Sequence, residues 1–312
     1  MCYSANNLVS AADAIAHNVG PAHLNIAYRR SGNPDAPNVL LIMGGAAQLI
    51  HWPEPFCDAL VNARLQVVRF DNRDAGLSTH IANAPQPDLP AVLAGDLISA
   101  SYTLNDMAAD TVGLIDALGF STAHIVGASM GGQIAQIIAA EYPDRVRSLI
   151  SMMSSTGNKS VGQVHPEILR EVFGKPVGKS REEHIQHRVM AMRAVGTPEF
   201  PSDEAELTAR VALAYDRDHD DIALARQAIA TVATGDRTER LRKISAPTLV
   251  IHGLADRMCD VSGGRATAEA IHGAELVLIE SMGHSLAPGL RPRLASLIAD
   301  FVWRVERRVY QN

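Results

Sequence analysis

From Asn38 to Met153 the chain alternates short apolar runs with helical patterns, and that rhythm limits the folds open to it. NVLLIM (38–43), LQVVRF (65–70) and VRSLISMM (146–153) have strand length and read as strands buried on both faces, with the short run Ile125-Val126 between them. Helical patterns separate them. One is opened by Trp52-Pro53 and sets Phe56, Leu60 and Val61 on one face; another runs from Thr103, an N-cap, to Gly119, a stop. A third follows residue 130 and is closed near Tyr142 by Pro143. Such alternation predicts a parallel sheet with helices on both faces. HLNIAY (23–28) alternates polar and apolar residues and reads as a half-exposed antiparallel strand, whereas residues 1–20 give no strong pattern.

After Thr156 the rhythm breaks. The stretch to about Arg240 reads as helices over 168–173, 182–194, 203–214 and 222–234, with Gly174, Pro176, Gly196, Pro198 and Pro201 between them. A helical insertion into an α/β core is the simplest account, giving a core of 1–155 and 241–312 around an inserted segment, 156–240. PTLVI (247–251) and ELVLI (275–279) then restore strands, with helices over 266–271 and 290–309.

The run Ile125-Val126 leads into Gly127-Ala128-Ser129-Met130-Gly131, and a helix follows directly. A serine at the apex of a strand–turn–helix can be a nucleophile if a base takes its proton. The turn needs small residues two before and two after the serine, because strand and helix cross closely there. A G-x-S-x-G alone arises by chance in about one in ten chains of this size and glycine content, so its partners decide. A base and an orienting acid should lie on loops after later strands, at the same sheet edge. His284 follows ELVLI and Asp256 follows PTLVI, with Asp260 as the nearest rival acid. The order Ser129, Asp256, His284 completes a Ser…Asp…His arrangement. The Met130 amide, at the start of the helix, and the Gly45 amide, after NVLLIM, are the expected donors to a developing oxyanion. Ile50, His51 and Trp52 are candidate substrate-lining residues. The loop Asp71–Ser78 reads as a turn fixed by its own Asp and Arg side chains rather than as catalytic.

Net charge of −6 with no Lys/Arg block argues against a nucleic-acid surface or a polybasic membrane anchor, and no apolar run reaches bilayer length. The N-terminus has no basic start followed by an apolar stretch, so no secretion signal is expected. Cys2, Cys57 and Cys259 are far apart and read as free thiols, which suits a reducing, cytoplasmic compartment. His184 and His187 read as surface residues, and no histidine or cysteine cluster has metal-ligand spacing. Oligomeric state leaves no mark in the sequence.

LLIMGG, FDNRDAGLST, VGASMGG, PTLVIHGLAD and MGHSL together resemble the α/β-hydrolase superfamily across nearly the whole chain. Within it the chain is similar to the aclacinomycin methylesterase-like group, through its Met-Gly-Gly strand end, the following Trp-Pro and the Arg-Asp-x-Gly-x-Ser loop. Many members carry His-Gly where this chain has Met43-Gly44. The resemblance implies an α/β-hydrolase fold: a mostly parallel eight-stranded sheet, helices on both faces, and a helical cap inserted before the acid-bearing strand. It also implies ester hydrolysis through an acyl-enzyme without a cofactor, with Ser129 as nucleophile, His284 as base, Asp256 as orienting acid and the Gly45 and Met130 amides as oxyanion hole. The expected partner is a small-molecule ester; apolar cap residues (Val189, Met190, Met192, Val195, Leu213, Ile222) suit an apolar or aromatic one. Carbon–carbon bond hydrolysis, lactone opening and cofactor-free perhydrolysis use the same triad and stay open, as does a binding role on a hydrolase scaffold.

Overall fold

The apolar runs form strands whose successive residues serve two separate cores. The computed structural model describes residues 13–173 and 178–309; Cys2, Gly174 and Pro176 lie outside the described residues. Eight strands, β1 (Ala14–Val19), β2 (Leu24–Ser31), β3 (Asn38–Ile42), β4 (Gln66–Phe70), β5 (Ala123–Ala128), β6 (Val146–Met152), β7 (Thr248–Gly253) and β8 (Glu275–Ile279), make one sheet in the order β1-β2-β4-β3-β5-β6-β7-β8. β2 pairs antiparallel with β1 and with β4, and every other pairing is parallel.

β3 shows why its sequence has no polar alternation. Leu40 and Ile42 join Ile125 of β5 beneath α3 (Leu104–Ala117), which follows the short α2 (Leu89–Leu93), and α4 (Met130–Glu141), against Leu114, Ile115, Ile134 and Ile138. Val39 and Leu41 face the other way, onto Phe56 and Leu60 of α1 (Glu54–Asn62) and Leu294, Ile298 and Val302 of α11 (Arg291–Val309). A strand with both faces covered must be apolar throughout. β1 departs from the sequence reading, which finds no element there. It is an edge strand, mostly exposed, that mixes polar with apolar residues and shifts register between Ala16 and Val19, so neither periodicity nor hydrophobicity marks it.

Between β6 and β7 the chain is helical. α5 (Pro166–Ile168) runs into a π turn, Leu169–Phe173; α6 (Arg181–Ala194), α7 (Glu204–Arg217), α8 (Asp221–Thr234) and α9 (Thr238–Leu241) follow. α6 and α7 share a small core of their own, Ile185, Val189, Leu207 and Val211. α9 packs instead on α4 and on α10 (Ser262–Ala270), with Leu241 in the main core. A segment boundary at 240 therefore cuts α9, which packs with the sheet-covering helices. Among the described residues no helix is long and apolar enough to cross a membrane.

Candidate active site

β5 sits at the centre of the parallel sheet, between β3 and β6, so the turn at its C-terminal end emerges mid-edge. Ser129 takes φ +58° and ψ −125°, a conformation non-glycine residues rarely adopt and one that costs about 1–3 kcal/mol. Its amide donates to the Met152 carbonyl of β6 at 2.9 Å, and its carbonyl receives the Gly132 amide, so both neighbours hold the strained turn. The flanking glycines are demanded by contact. A Cβ on Gly127 would lie 2.1 Å from the Gly131 carbonyl oxygen, and one on Gly131 would lie 2.1 Å from the Ile42 carbonyl oxygen. Gly131→Ala is therefore expected to cost about 3 kcal/mol of stability and to lower Tm by roughly 5 °C in differential scanning calorimetry. An unchanged Tm would mean that α4 can slide off β3.

The loops after β7 and β8 converge on this turn. His284 Nε2 lies 3.0 Å from Ser129 Oγ, and His284 Nδ1 lies 2.7 Å from Asp256 Oδ2. Asp256 is buried, and its Oδ1 accepts from the amides of Met258 (2.9 Å) and Cys259 (2.8 Å). The rival Asp260 faces elsewhere, accepting from the Gln163 and Ser262 amides. The His284 loop is held from above by the end of α6. The His284 amide donates to Val195 O at 2.8 Å, the Gly283 amide donates to Thr197 Oγ1 at 3.1 Å, and a Cβ on Gly283 would stand 2.0 Å from Gly196 O.

The proposed oxyanion donors meet the same space. Among the described residues the amides of Gly45 and Met130 donate to no protein acceptor, as a ligand-facing donor requires. The next residue, Ala46, has φ +60° and is gripped at both ends. Its amide donates to Gln227 Oε1 of α8 at 2.9 Å, and its carbonyl receives Arg188 Nη2 of α6 at 2.6 Å. Gln227 in turn donates to the Arg73 carbonyl. Neither Gln227 nor Arg188 was foreseeable as part of the site, because each is a polar residue on an amphipathic helix whose docking decides what it meets.

A cavity of about 390 Å³ opens over Ser129 and His284. Its walls are largely apolar, with Met43, Met153, Met192, Val195, Phe200 and Leu207 among them. Of the three expected lining residues only His51 lines it. Trp52 is fully buried and stacks on Phe56 with ring centroids 5.5 Å apart, and Ile50 is buried in the 3-10 turn before it. The expectation fails for both because a tight turn sends successive side chains in different directions. The apolar residues of the inserted helices divide similarly: Met192 and Val195 face the cavity, Val189 packs between α6 and α7, and Leu213 and Ile222 are exposed. Burial, reinforced by the Arg188 and Arg210 charges, pushes the His51 imidazole down to about 3, so it is neutral.

The Asp71–Ser78 loop bonds its own backbone, as expected, but its Asp and Arg side chains pair with residues of neighbouring helices rather than with one another. Asp71 accepts from the Leu49 and Leu77 amides and pairs with Arg217; Arg73 pairs with Asp110; Asp74 pairs with Arg226 and accepts from Tyr102. His184 is half-buried against Asp221, and His187 is half-buried with Nε2 enclosed, so neither is a plain surface residue. No group of three or more His, Cys, Asp or Glu among the described residues could hold a metal ion.

A serine on a strained turn after the central parallel strand, an aspartate and a histidine on later strand-end loops and helices inserted between β6 and β7 define a class. The chain belongs to the alpha/beta hydrolase fold family, whose model matches residues 37–287. Within that family it is similar to rhodomycin D methylesterase DnrP of Streptomyces peucetius, 28% identical over 286 residues that cover 86% of this chain and 91% of that protein. It is also similar to a 2-hydroxy-6-oxononadienedioate/2-hydroxy-6-oxononatrienedioate hydrolase of Klebsiella pneumoniae, 27% identical over 63% of this chain and 68% of that protein. In fold it matches the crystal structure of a putative aryl esterase from Burkholderia cenocepacia at TM-score 0.73, with 18% identity over 95% of this chain and all of that one.

Proposed function

We propose that the protein is a carboxylic ester hydrolase working through an acyl-enzyme on Ser129. The single observation that carries the reading is the continuous hydrogen-bonded line Ser129–His284–Asp256 beneath a cavity with apolar walls. In that reading His284 Nε2 takes the Ser129 proton as Oγ attacks the ester carbonyl. Asp256 holds Nδ1–H so that Nε2 faces the serine, and the Gly45 and Met130 amides receive the oxyanion. His284 then returns the proton to the departing alcohol, and water, deprotonated by the same imidazole, releases the acyl group. The similarity to a methylesterase over 86% of this chain supports ester chemistry, and residues 156–240 act in this proposal as a cap that selects substrate shape. The apolar walls suit an apolar or aromatic ester body. A cytoplasmic setting is part of the proposal, on the free thiols of Cys57 and Cys259.

Pre-steady-state hydrolysis of short p-nitrophenyl esters tests this. A burst of p-nitrophenol equal to the enzyme concentration is expected, followed by slower turnover. Folded protein that shows neither burst nor turnover at any acyl length would sink the ester reading and favour carbon–carbon bond cleavage, lactone opening or a binding role on the same scaffold.

A further inference from the structure

The cavity carries an imbalance of charge that ester hydrolysis as such does not use. Three arginines, Arg188, Arg193 and Arg210, reach its lining, and among the described lining residues there is no aspartate or glutamate. Two of the three are neutralised from outside the cavity: Arg193 by Glu204 at 3.2 Å and Arg210 by Glu206 at 3.2 Å. Arg188 is not. Among the described residues its one hydrogen-bond partner is the Ala46 carbonyl, and it forms no ion pair.

The other interior guanidiniums behave differently. Arg73, Arg217 and Arg226 each pair with a buried aspartate; Arg237 also forms no ion pair, but it lies outside the cavity lining, enclosed, donating to the carbonyls of Gly235 and Ser155 with its Nε unpartnered. A guanidinium offers five N–H donors, and the half-buried Arg188 uses one partner for them and has no counter-charge. None of the Arg188 nitrogens is among the fully enclosed, unpartnered atoms, so the unused donors keep open surface in the cavity the side chain lines. Burial lowers its pKa with no carboxylate to oppose the effect, and the neighbouring His51 is neutral.

We propose that Arg188 anchors a carboxylate of the substrate, so that this site takes an ester whose apolar body ends in a free acid. A carboxylate fits better than a phosphate dianion because one unpaired guanidinium balances a single negative charge and the remaining walls are largely apolar. The inference rests on the ester-hydrolase reading for the reaction, although not for the binding. Arg188 also holds Ala46, next to the proposed Gly45 donor, so its loss is expected to slow every substrate; the informative quantity is a ratio.

Two ester series test it: methyl hydrogen esters of C5–C8 dicarboxylic acids, and ω-carboxyalkyl acetates, each measured beside the neutral carboxamide of the same shape. In the wild-type protein at least one series should favour acid over amide by about 100-fold in kcat/KM. In Arg188→Met that ratio should collapse towards one, and Arg188→Lys should restore part of it. No acid preference in either series, or a ratio that survives in Arg188→Met while both rates fall together, would overturn the inference. Calorimetric titration with adipate and with adipamide needs no turnover and no variant. Adipate binding at least tenfold tighter than adipamide supports the inference even if no ester is hydrolysed, in which case only the ester reading fails; equal binding overturns it.

Discussion

Ser129→Ala is expected to lower kcat by about 100,000-fold, to abolish the p-nitrophenol burst, and to leave Tm close to that of the wild type. The first two effects arise because the hydroxyl is the only group on the apex turn placed 3.0 Å from the His284 Nε2. The third comes from the backbone. Ser129 holds φ +58° with the Gly127 and Gly131 backbones pressed around it, and alanine keeps the Cβ that makes this conformation costly. Ser129→Gly should be equally inactive yet more stable, by about 1 kcal/mol, since glycine accepts positive φ without the clash. Burst kinetics and calorimetry on the two variants separate chemistry from strain. A burst that persists in Ser129→Ala would place the nucleophile elsewhere, and a Ser129→Gly protein less stable than the wild type would show that the turn is not strained.

Asp256→Asn should cost about 10,000-fold in kcat, and the hydrogen bonds around Asp256 give the reason. Oδ1 accepts from two backbone amides, Met258 and Cys259, and nothing but an oxygen can occupy that position. An asparagine is therefore oriented with its carbonyl on those amides and its NH2 towards His284 Nδ1, which sits 2.7 Å from the present Oδ2. The imidazole must then accept at Nδ1 and carry its proton on Nε2, facing Ser129, where it cannot act as a base. Stopped-flow acylation should show the loss in the acylation rate with little change in substrate binding. A loss below about tenfold would mean that His284 keeps its tautomer without help from Asp256.

The proposed triad was legible in the sequence because each member ends a strand with its own signature. Ser129 lies between crossing glycines, while Asp256 and His284 follow PTLVI and ELVLI, and a parallel sheet delivers such strand ends to one edge. The same logic singled out Gly45. It could not place residues whose role depends on how helices dock. Arg188 and Gln227 occupy amphipathic helices, where an arginine or glutamine looks like a solvent-facing residue until α6 and α8 are laid over Ala46. Ile50 and Trp52 mark the opposite limit. They are as close in sequence to the proposed oxyanion loop as His51, but the 3-10 turn buries Ile50 and the stack on Phe56 buries Trp52, so neither lines the cavity. β1 escaped because an exposed edge strand need satisfy no burial pattern.

The segment Val195–Thr197 at the end of α6 is bonded directly to Gly283 and His284, with Gly196 and Gly283 too close to admit a side chain on the latter. The proposed cap and the proposed general base thus share one joint, and the protein is not modular in the way its sequence layout suggests. Transplanting helices from another hydrolase to change specificity would dislodge the imidazole unless residues 195–197 and 283–285 travelled together as a matched pair. By the same coupling, a displacement of Val195–Thr197 would act directly on the loop that sets His284 against Ser129.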